Sequence, residues 1–264
     1  MDVSTVLGLI LGLVAIFGSF ILEGGKMGAL IMIPAMIIVF GGTIATAMIG
    51  VSLSKFTTSF KLIKIALFCK STDLQALIDR LVSYAHVVRK DGILALEKEL
   101  ATIEEPFLKK GITLMVDGSD PEFISEVLNI EMEQISERHA IGAAIFAKMG
   151  GYSPTMGIIG TVMGLITTLA NAGEDPTQLI RHIASAFIAT LWGVFMANLV
   201  WLPIADKLKY RHGEEMGVLN LITSGVLAIQ SGANPRLVQT KLESVLPQAQ
   251  QKFELTETSA KETK

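Results

Sequence analysis

Four apolar runs in this sequence contain no Asp, Glu, Lys or Arg. They are Val3–Leu22, Gly28–Val51, Ser153–Ala172 and Ile183–Ala205. Each is long enough for the roughly 20 residues that a helix needs to cross the hydrocarbon core of a bilayer. Lipid offers no hydrogen-bond partner to the backbone, so each run is predicted to be a helix. We therefore expect an all-α membrane protein with four transmembrane helices and a helical cytoplasmic domain.

The composition excludes several other classes of protein. Half of the 264 residues are hydrophobic and 18% are charged, whereas soluble domains carry about 25% charged residues. The net charge of −3 and the lack of a basic run with interleaved aromatics argue against nucleic-acid binding. The single cysteine, Cys69, excludes an internal disulfide. No phosphate-binding loop, metal-ligand spacing or catalytic pair is present, so we expect no enzyme, no cofactor and no resident metal.

The distribution of Lys and Arg predicts the orientation of the spans. The runs pair into two hairpins, and each hairpin tip carries one such residue, Lys26 or Arg181. The opposite ends of the spans are flanked by Lys55, Lys61, Lys64, Lys70, Arg138, Lys148, Lys207, Lys209 and Arg211. Both tips are therefore expected to face outwards, and both termini and the middle segment to lie in the cytoplasm. No positive segment precedes the first run, so no cleavable signal peptide is predicted.

These boundaries divide the chain into five segments. Residues 1–51 form a transmembrane hairpin, 52–151 a cytoplasmic helical domain, 152–205 a second transmembrane hairpin, 206–247 a cytoplasmic helix, and 248–264 a polar tail predicted to be disordered.

Turn and capping residues subdivide the middle segment. Ser71-Thr72-Asp73 predicts a helix N-terminus, Asp91-Gly92 a helix break, and Asp117–Pro121 a turn followed by a new helix. Nearer the second run, apolar residues at helical spacing predict a helix lying along the membrane interface, and these are Phe56, Phe60, Ile63 and Leu67.

The last two runs carry stripes of small residues at intervals of three and four. One stripe contains Pro154, Gly157, Thr161, Gly164 and Thr168, and the other Ala186, Thr190, Gly193 and Ala197. Such stripes are typical of close helix packing, and the pattern alone favours that interpretation. The alternative is a narrow conduit in which the hydroxyls of Thr161 and Thr190 help to dehydrate a passing cation.

Three other features leave two interpretations open. Pro154 and Pro203 fit either an ordinary helix start and stop or a hinge, while Pro34 is expected to cause a simple kink. Arg89 and Glu97 flank the break at Asp91-Gly92, where a solvated hairpin tip is favoured over a contact surface. Finally, no span holds the ionisable residue that proton relays need, so the chain is either a scaffold or receives a carboxylate from a partner helix.

Two stretches of the last runs are the most specific motifs of the sequence. They are Pro154–Thr161 and Ala189–Gly193, with Pro203 thirteen positions after Thr190. Together with Arg89–Glu97 and Pro106–Gly111, they resemble the flagellar motor stator family, the MotA/PomA proteins, over nearly the whole chain. That family lies in the MotA/TolQ/ExbB superfamily.

The resemblance implies a subunit of the bacterial inner membrane that converts ion flow into torque. Thr161 and Thr190 would line the ion path, Pro154 and Pro203 would couple ion passage to conformation, and Arg89 and Glu97 would contact the rotor's switch-complex protein. A homo-oligomeric ring, a pentamer by analogy, would surround two copies of a single-span MotB/PomB-type protein. That partner binds peptidoglycan and would supply the missing ion-binding aspartate.

The resemblance also ranks the alternatives. An ExbB/TolQ-type energy-transducing subunit has three spans, and the additional N-terminal hairpin and the loop from Arg89 to Glu97 argue against it. A passive membrane scaffold is the rival from another class. Members resembling the sodium-driven branch carry Thr at the position of Thr161 and many proton-driven members carry Ala, so sodium is favoured over the proton.

Overall fold

The computed structural model describes residues 3–68, 72–170 and 176–246, and the α-helices of these residues are numbered here in chain order. They are α1 (Val3–Leu22), α2 (Ile33–Ile49), α3 (Leu53–Phe68), α4 (Leu74–Asp91), α5 (Pro106–Val116), α6 (Pro121–Ala170), α7 (Pro176–Met196), α8 (Leu202–Gln230) and α9 (Pro235–Glu243). Cys69, Lys70 and the predicted disordered tail, 248–264, lie outside the described residues. The prediction of an all-α protein is confirmed.

The chain divides into two compact units, which are described separately. The first unit contains residues 1–70 and 137–212, and the second contains residues 71–136 and 213–264. The boundaries of the five segments predicted from the sequence remain a prediction.

The first unit holds the apolar helices. By length and composition, α1, α6 and the continuous helical path Thr177–Gln230 are each long and apolar enough to cross a membrane, and α2 is a shorter apolar helix. No residue of α1 is buried. Its contacts include Phe17, whose ring lies 5.3 Å from that of Phe195 on α7. Large exposed apolar side chains are expected where the surrounding solvent is lipid.

The second apolar run differs from its prediction at its beginning. Met27–Leu30 forms a short 3-10 helix, Ile31 and Met32 are extended, and α2 starts only at Ile33. Pro34 therefore lies in the first turn of α2, where its missing N–H is tolerated, and the expected simple kink is wrong. A π turn, Ile37–Gly41, lies within α2.

The core of the first unit lies where α3 packs against α6 and α8. Phe56 on α3 is buried, and the ring of Phe60 meets that of Phe146 on α6 at 6.3 Å. The buried members of this cluster are Ala47, Phe56, Ala66, Ala143, Ile145, Phe146, Met149, Trp201, Ala205 and Leu208. Of the apolar residues predicted to share one face of α3, Phe56 is buried in this cluster and Ile63 packs against it, whereas Phe60 is exposed.

The second unit confirms the helix ends predicted from capping residues. The side chain of Asp73 accepts a hydrogen bond from the N–H of Ala76 at 3.1 Å, which caps α4. Gly92 ends this helix with φ = 81°, a value that favours glycine. Gly118 adopts the same φ in the turn before Pro121, the first residue of α6. The break after Gly92 is followed by a 3-10 helix, Ile93–Lys98.

The second unit has a continuous apolar core. Its fully buried members include Ile78, Leu81, Leu96, Leu108, Ile112, Ile124, Leu128, Ile222 and Val226. One continuous helix was expected over 206–247, but α8 ends at Gln230 and α9 starts at Pro235. Gly232 has φ = 70° in the intervening turn, and the side chain of Asn234 caps α9.

Candidate functional site

The candidate site lies in the first unit, where α6 crosses α7 through glycines. A methyl group at Gly157 would lie 2.9 Å from the carbonyl oxygen of Ala189, and one at Gly193 would lie 2.6 Å from that of Ser153. One at Gly164 would lie 2.9 Å from the Cβ atom of Ala186. The two backbones can approach this closely only because side chains are absent there. The close packing predicted from the two stripes is therefore observed.

The crossing brings the two predicted threonines together. The Oγ1 atoms of Thr161 and Thr190 are hydrogen-bonded to each other. Thr161 Oγ1 also lies 2.9 Å from the carbonyl oxygen of Ala186 on the facing helix and 3.0 Å from that of Gly157 on its own helix. A hydroxyl has one proton, so Thr190 can donate to Thr161 while Thr161 donates to one of the two carbonyls.

This arrangement forms a cluster of four oxygen atoms, defined by the hydroxyls of Thr161 and Thr190 and the carbonyls of Gly157 and Ala186. Both threonine side chains are half-buried. Hard cations prefer oxygen ligands of this kind. The cluster carries no formal charge, however, so a carboxylate from elsewhere would be needed to balance a bound cation.

The structure corrects one interpretation of the two prolines. Pro154 lies inside α6, and Pro203 is the second residue of α8, which continues from α7 through a π turn, Ala197–Trp201. Neither residue starts or stops a helical path, so the interpretation as an ordinary helix start and stop is wrong. The hinge remains a prediction.

Both prolines lie within one turn of the same helix contact. A methyl group at Gly150, four residues before Pro154, would lie 2.5 Å from the Cδ2 atom of Leu202, the neighbour of Pro203. Proline provides no N–H for the carbonyl four residues earlier, so each helix lacks one hydrogen bond near this contact. In the π turn, the N–H of Leu202 bonds instead to the carbonyl of Ala197, five residues earlier.

An aromatic cluster beside the crossing was not predicted from the sequence. The indole N–H of Trp192 donates to the carbonyl oxygen of Leu30 at 2.8 Å, where the short 3-10 helix ends. The rings of Phe17, Phe40 and Phe195 lie 5.3–6.5 Å from that of Trp192. A tryptophan in an apolar run needs an acceptor for its N–H. The sequence could therefore have predicted a hydrogen bond from Trp192, but it did not identify Leu30 as the acceptor.

The charged tip lies in the second unit. Arg89 and Glu97 are both exposed, on either side of Gly92, while Leu96 beside Glu97 is fully buried. The buried leucine anchors the 3-10 helix to the core, so the two charges are presented from a supported segment. Within the described residues, no group of three or more His, Cys, Asp or Glu could hold a metal ion.

Comparisons with known proteins identify the family. Residues 6–92 match the family model "Motility protein A N-terminal", and residues 99–221 match the "MotA/TolQ/ExbB proton channel family". The chain is 36% identical to the chemotaxis protein PomA of Vibrio alginolyticus, over 97% of this chain and 100% of that protein. It is 35% identical to motility protein A of Bacillus subtilis, over 94% and 92% of the two chains.

A solved structure agrees over the same extent. The structure of C. jejuni MotAB superposes with a TM-score of 0.90 at 32% identity, covering 97% of this chain and 100% of the compared chain. The sequence and structural matches extend through both units. The chain therefore belongs to the motility protein A family, within the MotA/TolQ/ExbB proton channel family.

Proposed function

We propose that this protein is the stator subunit of a flagellar motor. With a single-span MotB/PomB-type partner, it forms a cation channel and converts ion flow into torque on the rotor. The full-length relatives are motility proteins, and the superposed structure is a MotAB complex. The observation that carries the proposal is the oxygen cluster of Thr161 and Thr190, which lies in apolar spans that contain no carboxylate.

The absence of a carboxylate from the four apolar runs supports a partner protein as well as a channel. A cation among neutral oxygens in a medium of low dielectric is costly unless an anion compensates it. A partner helix carrying one aspartate would provide that anion beside the oxygen cluster. A passive scaffold would need neither the hydroxyl pair nor a partner with an embedded carboxylate, so retention of such a partner separates the two functions.

The partner is tested by purification. Co-expressed with the product of the neighbouring gene, the chain should retain a single-span protein whose apolar span contains an aspartate. Replacement of that aspartate by asparagine should stop motility while the complex still assembles. Isolation of the chain without any such partner, from cells that swim, would contradict the proposed channel.

Sodium is the cation that we propose. A sodium ion must exchange hydration water for several oxygen ligands, and the oxygen cluster supplies such atoms, whereas a proton needs only a carboxylate and a water chain. Rotation speed should therefore rise with external sodium at fixed pH. Thr161→Ala should weaken this dependence, because it removes the hydroxyl that contacts Thr190 and Ala186.

Thr167→Ala is a matched control on the same helix. The Thr167 hydroxyl is exposed and bonds to the carbonyl of Met163 at 3.0 Å, within its own helix. This variant should keep the sodium dependence of the wild type. Equal rotation of the wild type with and without sodium would reject sodium in favour of the proton and would leave Thr161 as a packing residue. The stator function itself would stand.

The remaining assignments complete the proposal. Arg89 and Glu97 contact the rotor's switch-complex protein, and Pro154 and Pro203 couple ion passage to conformation. The subunits form a pentameric ring around the partner. The basic flanks of the apolar helices support four spans in the bacterial inner membrane, with both termini and a helical domain in the cytoplasm. The match of residues 6–92 to the motility protein A model favours a stator over an ExbB/TolQ-type subunit.

A further inference from the structure

A cavity of about 350 Å³ lies in the first unit, beyond the last residue of α2. It is formed by the link between α2 and α3 and by one face of α6. Its wall combines two kinds of side chain. Lys55 and Lys148 contribute ammonium groups, and Val51, Ile141 and Ile145 contribute apolar surface.

The two lysines give the cavity a positive charge that its own wall does not balance. Both side chains are exposed, and the Nζ atom of Lys148 extends to within 3.7 Å of the position that a methyl group at Gly50 would occupy. None of the lining residues within the described part of the chain is acidic. Among the described residues, neither ammonium group forms an ion pair.

The position of the cavity along the chain favours one kind of anion, the headgroup of a lipid. The cavity begins at Gly50, one residue after the apolar helix α2, on the side that we propose to be cytoplasmic. The next helix, α3, carries Lys55, Lys61 and Lys64 and no acidic residue. Lipid phosphates lie near the ends of membrane-spanning helices, and basic pockets between membrane helices on the cytoplasmic side suit anionic headgroups.

We propose that this cavity binds the phosphate headgroup of an anionic phospholipid, with Lys55 and Lys148 as the charged ligands. The apolar wall of Val51, Ile141 and Ile145 favours a lipid over a free phosphate ion, because it offers contact to the glycerol and the first acyl carbons. The proposal uses the membrane location of the proposed function but neither its ion nor its rotor. It therefore adds a lipid site outside the oxygen cluster.

The test measures binding to the full-length chain, purified in detergent micelles with its co-expressed partner. The probe is phosphatidylglycerol labelled on an acyl chain, competed by unlabelled phosphatidylglycerol, phosphatidylcholine or inorganic phosphate. The variant is Lys55→Gln with Lys148→Gln. The control is Lys61→Gln with Lys64→Gln, which removes the same charge from α3 outside the cavity.

Unlabelled phosphatidylglycerol should displace the probe, and phosphatidylcholine and millimolar phosphate should not. A lysine near an anionic lipid surface changes the binding constant by about fivefold, so the cavity variant should lose affinity by roughly 25-fold. The control should lose less than about fivefold, because Lys61 and Lys64 do not line the cavity. Lys55→Arg with Lys148→Arg should keep the affinity and show that the fold tolerates changes here.

Equal affinity of the cavity variant and the control would overturn the site. Displacement by phosphatidylcholine as effective as by phosphatidylglycerol would also overturn it, because the cavity would then not distinguish an anionic headgroup from a zwitterionic one. Displacement by millimolar inorganic phosphate as complete as by phosphatidylglycerol would assign the cavity to a free anion and reject the lipid. None of these results depends on motility, so failure of this proposal is distinguishable from failure of the proposed function.

Discussion

Replacing Gly193 with alanine places a methyl group against backbone atoms, which cannot move as a flexible side chain can. The added carbon would lie 2.6 Å from the carbonyl oxygen of Ser153 and 3.1 Å from the Cα atom of Gly157. Ordinary contact begins at 3.4 Å, so α6 and α7 must move apart by about 0.8 Å at this point. The same movement would stretch the 2.9 Å contact between Thr161 Oγ1 and the Ala186 carbonyl beyond hydrogen-bond distance.

The expected cost follows from three opposing effects. Overpacking a close contact costs about 1–3 kcal/mol, and a lost hydrogen bond costs about 0.5–1.5 kcal/mol. Alanine is intrinsically better than glycine inside a helix by about 1 kcal/mol. We therefore expect Gly193→Ala to destabilise the protein by about 0.5–3.5 kcal/mol and to disrupt the oxygen cluster.

Thermal unfolding of the purified complex and swimming in soft agar measure the two consequences. Gly193→Ala should lower the Tm and reduce swimming. Gly8→Ala is the matched control, because a methyl group at Gly8 on α1 meets nothing within 4 Å. It should leave the Tm unchanged or raised. A Gly193→Ala protein with the Tm and the swimming of the wild type would refute the reasoning. The contact between α6 and α7 would then accommodate a methyl group without moving the helices apart.

Three further perturbations test other parts of the structure. Arg89→Glu combined with Glu97→Lys should impair swimming while membrane levels and partner binding stay normal, because exposed charges contribute little to stability. Normal swimming would exclude these residues as the rotor contact. Pro154→Ala should restore a backbone N–H and stiffen the proposed hinge, so the protein should accumulate normally but drive slow rotation. If it fails to accumulate, the proline is structural. Burial raises the pKa of Tyr84 above its ordinary 10.0, because the neutral phenol is favoured in the core. The contribution of Tyr84 to the free energy of unfolding is therefore complete below pH 10 and falls as the pH rises further. Chemical unfolding of Tyr84→Phe should lack this alkaline loss, and an unchanged loss would contradict the assignment.

The features that could be predicted from the sequence are those that neighbouring residues determine. Asp73 caps a helix through an N–H three residues away, and Gly92 and Gly118 supply positive φ values at breaks. The small-residue stripes predicted the α6–α7 crossing for a similar reason. Their spacing places them on one face, and lipid gives two helices little reason to associate other than close contact. Thr161 and Thr190 lie on these two facing stripes, and this position explains why their hydroxyls meet.

The features that the sequence did not show depend on contacts between distant segments. Proline usually marks a helix boundary, so Pro154 was open to that interpretation. In a packed apolar helix, however, neighbouring groups compensate for the missing donor and the helix continues. Likewise, the bond from Trp192 to Leu30 joins residues far apart in sequence. The roles that we propose for the oxygen cluster and the charged tip depend on partner proteins, which the sequence of one chain does not contain.

The π turn at Ala197–Trp201 determines how insertions and deletions can be accommodated in this protein. A π turn holds one residue more than the α-helix it interrupts, and each residue rotates an α-helix by about 100°. Removing one residue there would leave an ordinary α-helical turn and keep the face of α7 that carries Thr190 in phase with the face of α8 that buries Ala205 and Leu208. Removing one residue from the regular turns on either side would instead rotate the two faces apart by about 100°. The π turn is therefore a place between these two faces where the helix can lose a residue without turning one face away from the other.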